Sequence, residues 1–136
     1  MKPNRSRDRG AAAVEFALLL PMLLFIVFVL ADLGWVFNQQ LAVTSASREA
    51  VRYYTVHHSD TDPVAEAAAR ATAETRAKDL IPEPTTVTFA WTACSNVPGA
   101  EASVVVKKPI TDLTGLVVAL AGSTKLSATG TMRCGG

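Results

Sequence analysis

The sequence predicts an α+β fold with a long N-terminal transmembrane and amphipathic helix, a second helix, and a small antiparallel sheet of about three strands. Three observations lead to this prediction. An apolar run near the N-terminus is long enough to cross a bilayer, the apolar residues after it recur with a helical period, and the C-terminal half alternates apolar with polar residues. We predict a basic leader at 1–10, a transmembrane helix at 11–56 and a small extracytoplasmic α+β domain at 57–136.

The apolar run from Ala17 to Ala31 is interrupted only by Pro21. Counted from Ala11 at about 1.5 Å per helical residue, the segment that ends at Ala31 is roughly 30 Å long, which matches the hydrocarbon core of a bilayer. Proline removes a backbone hydrogen bond, so we expect a kink at Pro21 that neighbouring groups tolerate. The segment can therefore span a membrane.

The head of the chain, before this run, is basic. Four cations against one Asp8 give it a net charge of +3, whereas the whole chain carries +1. The positive-inside rule then places the head in the cytoplasm and the chain after Ala31 outside. We expect residues 1–9 to be disordered until an enzyme or a membrane surface engages them. The rest of the chain has no basic excess, so we expect no nucleic-acid partner.

Glu15 is a carboxylate close to the start of a membrane segment, where a charge deep in lipid costs about a few kcal/mol. One interpretation places it at the interface, in the first helical turn, where the helix dipole favours negative charge. Another is that cleavage after Gly10 creates an ammonium on Ala11, which neutralises Glu15 one turn away or the same residue of a neighbouring chain. A small residue at the cut, a basic stretch before it and Glu at the fifth position after it look like the features of type IV prepilins.

Two stretches of the chain carry a more specific resemblance. They are Gly10–Leu18, which Pro21 follows, and the later Ser47–Arg52. Together they resemble the TadE-like pseudopilins of tight-adherence (Flp-type) pilus systems, most strongly over residues 7–54. The resemblance implies a minor pseudopilin required for pilus assembly.

The same resemblance implies roles for individual residues. A prepilin peptidase would cut after Gly10 and leave Ala11 as the new N-terminus, at the start of a transmembrane and assembly helix. Glu15 would set the register during assembly, and Phe16 matches the family's aromatic residue at the sixth position.

The resemblance also implies a location and partners. It places the protein in the cell membrane as a single-pass subunit, with the N-terminus cytoplasmic and the C-terminal domain extracytoplasmic, from where it can enter a surface pilus. The implied partners are the prepilin peptidase, the major pilin and other pseudopilins, and a secretion-type ATPase acting through a membrane platform protein.

Two other functions stay open from the residues alone. The chain could be an uncleaved single-span anchor for a binding domain. It could also be a small secreted disulfide domain, because Val29 and Ala31 are the small residues that signal peptidase prefers before a cut. The apolar run is longer than the usual signal core, however, and Glu15 has no role in such a signal. The mature N-terminal residue distinguishes the three functions: Ala11, Met1 or Asp32.

The helix should continue beyond the membrane. Asp32 and Trp35 suit the outer interface, and apolar or small residues then recur at spacings of three and four as far as Tyr53. We predict a continuous helix from about Ala11 to Tyr54. The residues of this face are Val36, Gln39, Val43, Ala46, Ala50 and Tyr53.

A second helix begins where Asp62 can cap and Pro63 can occupy the first helical position. Alanines at every fourth position give it a narrow face that should pack on the first helix, and Pro82 and Pro84 should stop it. The alanines are Ala65, Ala69, Ala73 and Ala77. Charged residues one position further on predict the i, i+4 pairs Glu66–Arg70 and Glu74–Lys78.

The remaining elements are short. Val87, Phe89 and Trp91 alternate with polar residues and predict a first strand, which a loop at 95–100 containing Pro98 joins to a second strand. The second strand should direct Val104 and Val106 inward and Lys107 outward. Helical spacing after Ile110 predicts a short helix, capped by Thr111 or Asp112 and closed by Gly122, although the pair Val117-Val118 would also suit a strand. The last strand should present one inward face: Leu126, Ala128, Gly130, Met132 and Cys134.

Cys94 and Cys134 both fall on the predicted outer side of the membrane, where disulfides persist. Cys134 lies on the inward face of the last strand, so Cys94 could reach it, and we predict a disulfide. No phosphate-binding loop, nucleophile elbow or zinc spacing is visible, and the adjacent His57 and His58 present no common face to a metal. We therefore expect a protein that is not an enzyme and that has no cofactor, metal site or catalytic residue.

Overall fold

Two helices, two strands, a short helix and a last strand follow one another along the computed structural model, which describes residues 5–83, 86–95, 99–122 and 124–134. The described elements confirm the α+β fold class. Pro84 and Pro98, for which a helix stop and a turn were predicted, lie outside the described residues, as do residues 1–4 of the leader. The elements are α1 (Arg5–His57), α2 (Pro63–Asp79), β1 (Thr88–Thr92), β2 (Glu101–Pro109), α3 (Leu116–Ala121) and β3 (Lys125–Arg133).

Helix α1 is longer at both ends than the sequence predicts. It runs for 53 residues and continues past Pro21. The expectation of disorder is wrong for residues 5–9, because the alanine-rich turn that follows is strongly helix-forming and each residue added to an existing helix gains a backbone hydrogen bond. At the other end, α1 ends at His57, three residues beyond the predicted end.

Helix α2 begins as predicted. The Asp62 carboxylate accepts hydrogen bonds from the backbone N–H groups of Val64 and Ala65, at 2.9 and 3.3 Å, and Pro63 is the first helical residue. The alanine face packs on α1, with Ala69, Ala73 and Ala77 buried. Small side chains on this face allow the two helices to approach closely.

Only one of the two ion pairs predicted on α2 is present. Glu66 pairs with Arg70 and also accepts a hydrogen bond from the Tyr54 hydroxyl at 3.0 Å. Glu74 instead accepts a hydrogen bond from Trp91 Nε1 at 2.9 Å, and Lys78 lies 5.5 Å from the centre of the Phe89 ring. The prediction of the Glu74–Lys78 pair is therefore wrong, because β1 supplies closer partners for both side chains.

The sheet is antiparallel, with the strand order β1-β2-β3. In its centre, Val104 lies opposite Trp91 on one side and opposite Gly130 on the other. Val104 and Val106 are fully buried, as predicted, and Lys107 is exposed. Strand β1 begins at Thr88, one residue after Val87, which nevertheless packs against the core.

The third helix, α3, is shorter than the sequence predicts. It begins at Leu116 after Gly115, which has φ +82°, and it ends before Gly122, as expected. Neither Thr111 nor Asp112 is its N-cap. The reason is tertiary: Thr111 bonds to α1 instead, and Asp112 reaches across to accept a hydrogen bond from the Val118 N–H at 3.1 Å.

The core lies between the upper half of α1 and the two layers that cover it, the sheet on one side and α2 on the other. Strand β3 approaches α1 so closely at Gly130 that a Cβ there would lie 2.3 Å from the Ser47 carbonyl oxygen. The small residues Ala46, Ser47 and Ala50 form the matching surface on α1, and all three are fully buried. The spacing between helix and sheet is therefore set by the lack of a side chain at Gly130 and by the small side chains of the three residues that it meets.

A disulfide joins Cys94 to Cys134, as predicted, with their Cα atoms 5.8 Å apart. It lies near Tyr54, whose hydroxyl accepts a hydrogen bond from the Cys94 N–H at 3.4 Å and whose ring lies 5.2 Å from that of Trp91. Tyr54 is 1% exposed. The disulfide thus joins the end of β3 to the segment after β1. It does so next to Tyr54, whose hydroxyl also connects α1 with α2 through Glu66.

We predict that Gly130→Ala lowers the free energy of unfolding by about 1–3 kcal/mol, because the new methyl group meets backbone atoms that cannot rotate away. Chemical denaturation of the detergent-solubilised protein measures this. The matched control is Gly34→Ala, since a Cβ at Gly34 meets nothing within 4 Å. Equal stability of both variants would contradict the close approach.

We predict that the purified, unreduced protein contains no reactive thiol and that a Cys94→Ser, Cys134→Ser double variant loses about 2–5 kcal/mol of stability, as is typical of a small extracytoplasmic domain. Thiol titration under denaturing conditions tests the first part and chemical denaturation the second. Two free thiols per molecule would rule the bond out.

Candidate assembly and processing site

The lower half of α1 is an apolar surface that the described part of the chain leaves uncovered. Large side chains all around the helix are exposed, from Val14 to Leu30. Among the helices of the described residues, α1 is the one long and apolar enough to cross a membrane. An uncovered apolar surface of this size requires lipid or other protein chains around it. The arrangement is that of an α+β domain carried on a single membrane-type helix.

Glu15 lies on this apolar surface, and its side chain is exposed. Within the described part of the chain it makes no hydrogen bond or ion pair. Ala11 lies four residues earlier on the same continuous helix, so the two residues share one face. Phe16 is also exposed, at 62%. Among the side chains that the structure describes, none supplies a counter-charge to the Glu15 carboxylate. The roles of Gly10, Ala11, Glu15 and Phe16 stay predictions.

Gly10 lies within α1 and not before it. A Cβ at this position would meet nothing within 4 Å, so the folded chain does not itself require glycine there. The peptide bond between Gly10 and Ala11 is part of the helical backbone, and a peptidase would reach it only after local unwinding. Glycine makes that unwinding easier by about 1 kcal/mol relative to alanine.

Asp32 is the most unexpected residue of the site, because it is fully buried although it follows the apolar run directly. Its carboxylate accepts hydrogen bonds from the backbone N–H groups of Leu113 and Thr114, at 3.1 and 3.2 Å, and from the Thr114 hydroxyl. The carboxylate that directly follows the apolar run is thus covered by protein atoms. The segment between β2 and α3 covers it and satisfies its charge with three donors.

Gln39 repeats this arrangement two turns further along α1. It is fully buried, its amide donates to the Thr111 carbonyl, and its Oε1 accepts from Lys108 Nζ and from the Thr111 hydroxyl, each at 2.9 Å. Lys108 is itself only 1% exposed. Burial lowers the pKa of Lys108, and the nearby Glu83 carboxylate opposes this change only in part.

The burial of Lys108 has a signal in the sequence, the alternation of residues along β2. Residues 104, 106 and 108 share one face of β2, so the alternation that directs Val104 and Val106 inward directs Lys108 inward as well. No comparable local signal marks the partners of Asp32, since they lie about eighty positions away in the chain.

The Ser47–Arg52 stretch divides into two faces. Ser47, Ala50 and Val51 are buried in the core, whereas Glu49 and Arg52 form an ion pair at 2.9 Å that lowers the pKa of Glu49. The charged face borders an open groove of about 560 Å³ between α1, the end of α2 and β3. The stretch therefore combines the surface that receives the sheet with the wall of a groove.

The family model for TadE-like proteins matches residues 10–52. The match begins at the predicted cleavage position and ends with Arg52, so it covers most of α1 and less than half of the chain. It confirms the resemblance to TadE-like proteins, which indicates involvement in the tight-adherence pilus system with partners from that system and association with a membrane. No curated protein and no solved structure matches the chain.

We predict that the free energy of unfolding of the wild type rises with pH because of Lys108, and that the Lys108→Met variant lacks this rise. Because the pKa of Lys108 is lower in the folded than in the unfolded chain, unfolding takes up a proton between the two values. The free energy of unfolding of the wild type should therefore rise with pH towards the ordinary lysine value of 10.5, relative to the variant. Denaturant unfolding at about pH 7 and about pH 10 measures the difference.

The matched control is Lys107→Met, because Lys107 is the neighbouring residue and is exposed. This variant should follow the wild type at both pH values. If Lys108→Met also followed the wild type at both pH values, the pKa of Lys108 would not be lowered by folding.

Proposed function

We propose that this chain is a minor pseudopilin required for the assembly of a tight-adherence pilus, and that a prepilin peptidase cuts it after Gly10. It is a structural subunit and not an enzyme. The single observation that carries the proposal is Glu15, an exposed carboxylate on an apolar helix, without a partner in the described chain and four residues after the proposed new N-terminus. The residue falls within the segment that the TadE-like family model matches.

Cleavage would supply the missing counter-charge. The α-amino group of Ala11 becomes an ammonium near neutral pH once the leader is removed. When the apolar halves of several α1 helices pack together, the Glu15 carboxylate enters a low-dielectric environment, where a carboxyl group either takes up a proton or binds a cation. The ammonium of a neighbouring subunit is such a cation.

This pairing would determine how the subunits are staggered. Four helical residues separate Ala11 from Glu15, which corresponds to about 6 Å along the axis. An otherwise uniform apolar helix can slide along its neighbour with little change in energy. A charge pair formed at one position selects a stagger of about 6 Å between adjacent subunits.

The proposed topology follows from the charges at the two ends of the apolar run. The basic head lies in the cytoplasm, and α2 and the sheet lie outside, where the Cys94–Cys134 disulfide is maintained. In this arrangement the ATPase and platform protein of the pilus system act from the cytoplasmic side. The major pilin and other pseudopilins contact α1 within the membrane and the filament.

We predict that Glu15→Gln leaves membrane insertion and cleavage intact but lowers the amount of subunit in sheared pili about tenfold or more. The neutral amide keeps the shape of the side chain and removes the charge that pairs with the ammonium, and unpairing a buried charge costs well over the 1.4 kcal/mol that equals tenfold. Immunoblots of sheared pili and of membranes give the ratio.

The matched control for this experiment is Leu19→Ala. Leu19 lies one turn beyond Glu15 on the same face and is also exposed. The control should be incorporated nearly normally. Normal incorporation of Glu15→Gln would refute the charge pairing.

We predict further that mass spectrometry of the wild-type protein, extracted from membranes of cells with a working peptidase, finds Ala11 at the N-terminus. A bulky replacement, Gly10→Leu, should leave the leader attached, because the peptidase requires a small residue at the cut. Met1 at the N-terminus of the wild type would instead indicate an uncleaved, membrane-anchored binding domain, and Asp32 would indicate a secreted domain. Either result overturns the proposal.

A further inference from the structure

The segment between β2 and β3 carries an uncovered apolar surface of its own. Helix α3 consists entirely of apolar residues, and the stretch from Leu113 to Gly122 contains no charged side chain. Leu113 is 62% exposed and Leu120 is 82% exposed. Leu113 lies just before α3 and Leu120 lies on it. A helix of only six residues has little stability unless something packs on it.

The hydrogen bonds to α1 fix the height of this segment along the helix. Lys108 and Thr111 bind at the level of Gln39, and Thr114 binds at the level of Asp32. Seven helical residues separate the two levels, which corresponds to about 10 Å. The chain therefore descends along α1 towards the apolar run as it leaves the sheet, and α3 follows at the lower end.

The exposure of Val29 shows how far down α1 the covered face extends. Val29 is half-buried, whereas every other residue from 10 to 31 is exposed. It lies three residues before Asp32, and residues with this spacing share a face of the helix. Helix α3 contacts α1. The face of α1 that is covered at Asp32 is therefore also partly covered one turn lower, at Val29.

We infer that α3 is a second membrane contact, seated in the outer leaflet at the boundary between headgroups and acyl chains, with Leu113 and Leu120 directed into the lipid. The inference rests on the proposed function, since it requires α1 to cross the bilayer. The occupant is lipid because the exposed leucines continue the surface of the apolar run at the level where that run ends.

Two neighbouring features suit this location. The three hydrogen bonds that Asp32 receives from Leu113 and Thr114 seal its carboxylate away from the acyl chains. Lys125 follows α3 at the start of β3 and is exposed, so its ammonium can reach lipid phosphates while the aliphatic stem lies nearer the membrane. Two points of contact, α1 and α3, would fix the rotation of the α+β domain about the axis of α1.

Depth-dependent quenching in phosphatidylcholine vesicles tests the inference with the full chain. Leu120→Cys is labelled with an environment-sensitive NBD dye under non-reducing conditions, in which the Cys94–Cys134 disulfide leaves no other thiol. Leu23→Cys, in the middle of the apolar run, reports on the span. Val64→Cys, exposed at the start of α2, is the matched control outside the membrane.

We expect the dye at position 120 to emit at shorter wavelength than at position 64 and to lose most of its emission to a lipid with a nitroxide near the headgroup. The dye at position 23 should be quenched best by a nitroxide deep in the acyl chain, and the dye at position 64 by neither lipid.

Three results would overturn the inference. If position 23 is quenched and position 120 behaves like position 64, α3 is outside the lipid and the proposed function is unaffected. If position 120 is quenched only in dilute protein and is protected at high protein-to-lipid ratio, a second copy of the chain is the preferred occupant. If position 23 is not quenched either, α1 does not cross the bilayer, and the proposed function is overturned together with the inference.

Discussion

The continuity of α1 is the constraint on which the rest of the structure depends. One helix of 53 residues passes from a half whose apolar side chains are exposed all around to a half whose face is buried under α2 and the sheet. The change takes place between Val29 and Gln39. Helix α2, strands β2 and β3 and helix α3 all contact this one helix, and β1 is joined to it through β2.

The attachment of the domain uses small residues on both covering layers. Alanines of α2 pack on one side of α1, and Gly130 meets Ser47 on the other, where a methyl group would not fit. At the far end, Tyr54 connects α1, α2 and the segment after β1 next to the disulfide. Close approach of backbones and a covalent cross-link together compensate for a core that contains few large side chains.

Buried polar contacts appear where the apolar run ends. Asp32 and Gln39 lie in the segment that the TadE-like family model matches, whereas the groups that bind them come from the C-terminal half. A carboxylate directly after a membrane run is costly unless donors satisfy it, and the loop before α3 supplies them. The same hydrogen bonds bring α3 down to the membrane boundary, so one set of contacts serves stability and membrane placement.

The sequence by itself determined the elements whose signals are local: the apolar run, the Asp62 cap, the alanine face and the alternation of the strands. The alternation also placed Cys134 on the inward face of the last strand, from which the disulfide with Cys94 was predicted. Helical and strand periods are properties of neighbouring residues, and they can be read without knowing the fold. Only the tertiary structure decided which groups donate to Asp32, that Lys108 is buried against Gln39, and that Trp91 donates a hydrogen bond to Glu74. These contacts join residues far apart in the chain, and their energies depend on which groups the packing of helix and sheet brings within hydrogen-bond distance.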